Sequence, residues 1–262
     1  MNVIATNSQS ASSITADFQE FLRESGIEFV PRQRKSLEAL AAEHSARGVI
    51  VWLIEGPVLN IINEEKFFFH PSMAKNRIAS FRKFGTVDPL IKACDLKEND
   101  SFLDCTLGLG ADSIVASYFS RGGRVVGLES SFIIAWVVKW GMKLYCSQMD
   151  WLNTAIKGIE VVAADHSSYL KELDDNSFDI VYFDPMFRQP LLKSQAIAPL
   201  RLMADHRELR KESIIEACRV ARKKVVVKEM VSSPEFERLG LRLAPHSPHN
   251  KIAFGVIETG KG

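Results

Sequence analysis

The chain has 262 residues, 46% hydrophobic and 25% charged, which suits one large domain, or a domain with a small lobe, around a core that needs no staples. This composition excludes wholesale disorder, and no apolar run reaches the roughly 18 residues of a membrane span, the longest being 48–54 and 133–138. Lys plus Arg number 33 against 32 Asp plus Glu, so the net charge of +1 gives no global sign of a polyanion binder.

Residues 2–5 read as a short first strand, followed by a Ser/Asn-rich loop to Ser13. Residues 14–47 read as two helices interrupted around 26–31, with Pro31 in a first helical turn. Segments 49–54, 58–62 and 66–69 are short and β-branched or aromatic, which predicts an antiparallel meander. Pro71 and Ser72 open a helix to about Phe84, with Ser72 as its N-cap. From residue 86 helix and strand alternate: helix 87–94, strand 101–104, helix 111–120, strand 124–128, helix 131–149, strands 160–163 and 178–183, helix 208–221 and strand 224–227. Two more strands, 239–243 and 252–257, close the chain around a turn holding His246 and His249. The pattern specifies an α/β fold with an open, mostly parallel sheet and an antiparallel C-terminal edge hairpin. Residues 1–84 are then a small N-terminal α+β lobe and residues 85–262 the sheet domain.

Cys94, Cys105, Cys146 and Cys218 form no C-x-x-C pair, and His246 and His249 lack an acid or cysteine at ligand spacing, so no metal and no disulfide framework is expected. With no basic and apolar leader before Ser13, a cytoplasmic protein is expected. Charge is unevenly spread: residues 66–97 hold seven Lys/Arg against two Asp/Glu, and residues 186–224 ten against four. Solvated helix faces commonly give such segments, and they point to a polyanion only if both border one cleft.

The first pointer to chemistry is Asp104-Cys105-Thr106-Leu107-Gly108-Leu109-Gly110-Ala111-Asp112, between a strand and a helix. Glycines there let a backbone approach a ligand, and the helix start offers free N–H groups. A dinucleotide fingerprint places a third glycine where this chain has Ser113, and makes no demand for an acid such as Asp104 at the strand end. A cationic or amino-bearing ligand suits Asp104, whereas a pyrophosphate is repelled by it. Asp112 adds to that repulsion, although an acid in a first helical turn is also a favourable dipole partner. Glu129 ends the next strand and can chelate the two ribose hydroxyls that nicotinamide dinucleotides and S-adenosylmethionine share. Asp165 follows the third strand and can accept from an adenine amino group. All three acids fall on the carboxyl edge, where open α/β sheets bind ligands.

Asp184-Pro185-Met186-Phe187 follows the apolar strand 178–183. With the strand-end acids and the Gly108/Gly110 loop, it resembles class I S-adenosylmethionine-dependent methyltransferases. The motif is a variant of the (Asp/Asn)-Pro-Pro-(Tyr/Phe) signature of those that methylate exocyclic amines of nucleic-acid bases. Such an amine is a poor nucleophile because its lone pair is delocalised into the ring. Hydrogen bonds from its two N–H groups to the Asp184 carboxylate and the Pro185 carbonyl favour a pyramidal nitrogen. Phe187 can stack on a base that is flipped out or single-stranded.

More narrowly, Leu103-Asp104-x-Thr106-x-Gly108-Leu109-Gly110-x-Asp112, the Asp184 motif and Lys224-Val225-Val226-Val227-Lys228 resemble the small-subunit ribosomal RNA guanine-N2 methyltransferases over residues 100–228. The resemblance implies a Rossmann-like class I fold, S-adenosyl-L-methionine as cofactor and RNA as partner, either ribosomal RNA or the small ribosomal subunit. It implies cofactor contacts at Asp104, Thr106, Gly108, Gly110, Ala111, Asp112, Glu129, Ser130, Asp165, His166 and Asp184. Catalysis then falls on Asp184, Pro185 and Phe187. Ala111 stands where the family often has Arg, and the N-terminal lobe departs from it, so substrate choice is expected to reside in that lobe. Lys75, Arg77, Arg188, Lys193 and Lys228 are the candidate substrate contacts, with Arg201, Arg207, Arg210 and Lys211 nearby in sequence. Lys228 can alternatively neutralise Asp184. Methylation of a protein or small-molecule amine, and RNA binding without catalysis, are the competing readings.

Overall fold

The computed structural model describes residues 1–9, 13–185, 203, 205–247 and 249–260. Met186, Phe187, Arg188, Lys193 and Arg201 lie outside the described residues. The chain divides into two units. One contains Met1–His70 and Trp136–Cys146, and the other is built on Pro71–Ala135 and most of the chain from Ser147 onward.

The first unit holds β1 (Val3–Asn7), α1 (Ala16–Ser25), α2 (Leu37–Glu43), β2 (Gly48–Leu53), β3 (Gly56–Ile61) and β4 (Lys66–Phe67). Strands β2 to β4 form the expected antiparallel meander, and β1 adds to β2 in parallel. Thr15 caps α1 by accepting from the Phe18 N–H at 3.2 Å, and Gly26 ends it at φ 64°. The core is aromatic: Phe18 stacks on Trp52 at 4.9 Å and Trp140 meets Trp52 edge-on at 5.5 Å. Pro31 does not begin the second helix. The chain after it turns through left-handed Gln33 and Arg34, and α2 starts only at Leu37, with Ser36 accepting from the Ala39 N–H.

The second unit begins with α3 (Ser72–Phe84), α4 (Pro89–Cys94), β5 (Phe102–Asp104), α5 (Ala111–Ser120) and β6 (Val125–Glu129). Helix α6 (Phe132–Leu144) starts here, followed by α7 (Asp150–Lys157), β7 (Ile159–Ala163), α8 (His166–Glu172) and β8 (Phe178–Phe183). It ends with α9 (Lys211–Val220), β9 (Ala221–Met230), α10 (Glu235–Arg238), β10 (Arg242–Leu243) and β11 (Ile252–Glu258). The sheet order is β10-β11-β9-β8-β5-β6-β7. Strands β5 to β9 run parallel, and β11 and β10 close one edge antiparallel. Every residue of β6 and β8 is buried, as for central strands covered on both faces. Strand β5 lies between β6 and β8, so the strand order reverses there, and the carboxyl end of β5 is the place where open α/β sheets bind ligands.

Local details differ from expectation. The helix expected over 131–149 ends at Leu144 and a separate one follows from Asp150; between them the Asn153 side chain accepts from the Ser147 N–H at 3.0 Å and donates to the Ser147 carbonyl at 2.7 Å, competing with helical bonding. Ser72 lies inside α3 and Pro71 holds the cap position with no side-chain bond. Strand β9 runs to Met230 because β11 pairs along it from Lys224 to Met230. Among the described residues no helix is long and apolar enough to cross a membrane.

Candidate active site

The chain leaves β5 at Asp104 and turns over the sheet edge. The Leu107 N–H donates to the Leu128 carbonyl at 2.8 Å, and its side chain lies on β6. A Cβ on Gly127 would come within 2.4 Å of Leu107 Cδ1, so Gly127 is what lets the loop seat on the strand. Gly108 and Gly110 take left-handed conformations, φ 52° and 72°, and the Gly110 N–H closes a turn onto the Leu107 carbonyl at 2.7 Å. The seat brings the Gly108 N–H to 3.0 Å from Glu129 Oε2, while the Ser131 N–H donates to Oε1 at 2.8 Å. Glu129 is buried, and burial raises its proton affinity in spite of these two donors.

Asp104 is 2% exposed. Its Oδ1 accepts from the Thr106 N–H at 3.0 Å and its Oδ2 from the Ser113 hydroxyl at 2.6 Å. Burial outweighs both bonds and pushes the carboxyl up to about 7. Ser113, read in sequence only as a missing glycine, is therefore the anchor of Asp104.

A second network joins α3, α4, α5, β8 and β9. Arg77 donates Nε and Nη2 to Asp88 at 2.8 and 2.7 Å, and Nη1 to Asp112 Oδ1. Asp112 Oδ2 accepts from the Tyr182 hydroxyl at 2.7 Å and from Lys228 Nζ at 3.0 Å. Lys228 Nζ also donates to Asp184 Oδ2 at 2.7 Å. The Asp184 N–H donates to Thr106 Oγ1 at 2.6 Å, which ties the loop after β8 to the loop after β5. Burial alone would raise the Asp112 carboxyl, but Lys228 and Arg77 hold it well below the usual range. Asp184 is raised by desolvation and by the Asp112 charge, against the pull of Lys228. Burial opposes the Lys228 charge, and Asp112 and Asp184 override it, so the ammonium persists to unusually high pH.

Asp165 caps α8 by accepting from the Ser167 N–H at 2.8 Å, and it pairs with Arg207, which Asp205 shares. Those donors overcome desolvation and hold Asp165 well below its ordinary range. The His166 ring lies edge-on to Phe183 at 5.4 Å, and burial lowers its proton affinity, so the ring is neutral at pH 7. Ala111 opens α5, Ser130 is exposed beyond β6, and Pro185 is half-buried. Lys75 is exposed on α3. Arg77 and Arg207, considered as phosphate contacts, are both turned onto carboxylates.

The structure thus gathers Asp104, Thr106, Asp112, Asp184, Lys228 and Arg77 through shared hydrogen bonds, and Gly108 with Glu129. Ser113, Asp88 and Tyr182 escaped the sequence reading, since nothing local marks a hydroxyl or an acid whose partner lies tens of residues away.

At this edge Asp104, Glu129 and Asp184 have proton affinities raised by burial or desolvation, whereas Asp112 and Asp165 are held low by their donors, a set of perturbed carboxyls of the kind that marks a candidate site. S-adenosylmethionine, with a sulfonium, an amino group and a ribose, fits this donor set. Glu129, with one amide on each oxygen, keeps lone pairs for a diol.

Residues 63–242 match the SAM-dependent methyltransferase family SAM_MT. Over 258 residues the chain is 36% identical to the uncharacterized protein YpiP of Bacillus subtilis strain 168, covering 98% of this chain and 99% of that protein. It is 34% identical over 110 residues to ribosomal RNA small subunit methyltransferase J of Acinetobacter baumannii strain SDF, a match spanning 41% of this chain and 38% of that protein. Among solved structures, the SAM-dependent methyltransferase NGO1261 of Neisseria gonorrhoeae shares the fold with a TM-score of 0.60, over 98% of this chain and 96% of that one, at 20% identity. The chain belongs to the S-adenosylmethionine-dependent methyltransferase family, with the class I fold and S-adenosylmethionine as its cofactor.

Proposed function

We propose that this protein methylates an exocyclic amino group, that of guanine N2 in small-subunit ribosomal RNA. The observation that carries the reading is the fixing of Asp184 at the topological switch of the sheet, by Thr106 on its N–H and Lys228 on its carboxylate. The partial identity to small-subunit methyltransferase J supports an RNA acceptor. The Asp184-Pro185 pair, as a variant of the exocyclic-amine signature, supports an amine.

S-adenosylmethionine, when bound, supplies a methyl group on a cationic sulfonium. Glu129 holds the ribose hydroxyls, Asp104 and the Gly108–Gly110 backbone border the methionine end, and Asp165 and neutral His166 border the adenine. Asp184 and the Pro185 carbonyl accept the two N–H bonds of the acceptor amine and turn its lone pair out of the ring plane. The raised proton affinity of Asp184 suits it to receive the proton the amine gives up. Phe187 stacks on the base, Lys75, Arg188 and Lys193 meet phosphates, and residues 1–84 select the RNA.

The test is transfer of labelled methyl from S-adenosylmethionine to small-subunit ribosomal RNA from cells lacking the protein, as naked RNA and as assembled subunits. Nucleoside analysis is expected to find N2-methylguanosine. Label on another base, or only on protein or small amines, would contradict the guanine assignment.

A further inference from the structure

We infer that Lys228, held by Asp112 and Arg77, is a positioning residue that fixes the Asp184 carboxylate for the acceptor amine; this rests on the reading of Asp184 given above. Strands β8 and β9 set the pair in place. Phe183 stands opposite Val227 in register, so Asp184, the first residue past β8, comes beside Lys228, which stays in β9 and pairs with Phe254 of β11. The Lys228 ammonium bridges Asp112 at 3.0 Å and Asp184 at 2.7 Å, and its side chain is only 19% exposed. Lys228 bonds Asp184 through Oδ2, and the Asp112 carboxyl also interacts with that of Asp184.

The support behind Lys228 is deep. Asp112 receives three donors, Arg77 on one oxygen and Tyr182 and Lys228 on the other. Arg77 is locked in turn by a two-bonded fork on Asp88, which caps α4 through the Leu90 N–H at 2.9 Å. The result is a line of alternating charges, Asp88, Arg77, Asp112, Lys228 and Asp184, drawn from α4, α3, α5, β9 and the end of β8. Burying charge is costly unless each member is paired. The line gives Asp184 one fixed orientation and counters the neighbouring charge of Asp112 and Asp104. Asp112 thereby holds Lys228 in place.

The experiment compares Lys228→Met, Lys228→Arg and Tyr182→Phe with wild type. It reads S-adenosylmethionine affinity by calorimetry, kcat and KM on small-subunit ribosomal RNA, and the proton affinity of Asp184 by carboxyl carbon-13 NMR. In Lys228→Met, kcat is expected to fall about 30-fold or more, while KM for RNA and cofactor affinity stay within about threefold. The Asp184 proton affinity is expected to rise about tenfold or more, because desolvation, Asp112 and Asp104 then act unopposed. Lys228→Arg is expected to restore that affinity and part of kcat, and Tyr182→Phe to lower kcat by about threefold through a loosened Asp112. A rise in KM with unchanged kcat would make Lys228 a phosphate contact and overturn the inference. So would a parallel loss of cofactor affinity, or an unmoved Asp184 titration. If Lys228→Met does not fold, unchanged kcat in both other variants would overturn it equally. If wild-type protein modifies no RNA, the acceptor reading fails, while the NMR comparison still decides whether Lys228 governs Asp184.

Discussion

Strands β5 and β8 each run between two acids, and the two ends of the pair behave in opposite ways. At the amino end, Asp179 accepts from the Ser101 N–H at 2.9 Å, from the Ser101 hydroxyl at 2.8 Å and from two Arg222 nitrogens at 3.0 and 2.8 Å. Its neighbour Asp100 accepts from the Lys97 N–H at 2.9 Å and pairs with Lys223. Desolvation there is overridden by Arg222 and Ser101, and Asp179 sits well below the ordinary carboxylate range. At the carboxyl end, Asp104 is pushed up to about 7 and Asp184 is raised as well. One residue type on the same two strands is held ionised by its donors at one end and raised by burial and desolvation at the other. The first arrangement stabilises the fold, and the second leaves costly carboxyls at the switch point, the kind of perturbed group that marks a candidate site.

The largest expected effect is on activity. Asp184→Ala should lower methyl transfer by about 100-fold or more with little loss of stability, measured by turnover beside thermal unfolding. Asp179→Ala should do the reverse, costing about 3 kcal/mol in denaturant unfolding because Arg222 and Ser101 lose their acceptor, with cofactor affinity unchanged. Glu129→Ala should weaken S-adenosylmethionine about 10- to 100-fold and barely move the unliganded melting point.

A smaller effect separates the two ends by pH. Asp179 has a folded pKa below its unfolded value, so its contribution is present at neutral pH and is lost as pH falls through the acid range. Asp104 has a folded pKa above its unfolded value, so stability is fullest below about 4 and declines as pH rises toward about 7. Asp104→Asn should therefore gain about 1–3 kcal/mol at pH 8 in the unliganded protein, gain less at pH 5, and bind cofactor more weakly. Equal gains at both pH values would show that Asp104 is not a strained carboxylate.

The legible parts of the molecule were those written locally. The apolar run 178–183, the helix from Ala111 to Ser120 and the glycine loop between strand and helix all fall where their patterns place them. The acid-rich edge was legible because strand ends in an open α/β sheet share one side. What escaped depends on partners distant in sequence. Ser113 matters only because the turn returns it to Asp104, and Arg77 changes from a surface cation to a half-buried one because Asp88 and Asp112 converge on it. Arg207 reaches Asp165 across 42 positions. No periodicity records such pairings, since tertiary packing alone decides which charges meet.

The most direct measurement is calorimetric titration of S-adenosylmethionine into wild type, Glu129→Ala and Asp179→Asn, each shown to be folded at the temperature used. The account predicts binding to wild type, a loss of about 10-fold or more in Glu129→Ala, and wild-type affinity in Asp179→Asn. Equal affinity in wild type and Glu129→Ala, or a loss confined to Asp179→Asn, would contradict the division of labour between the two ends of the sheet.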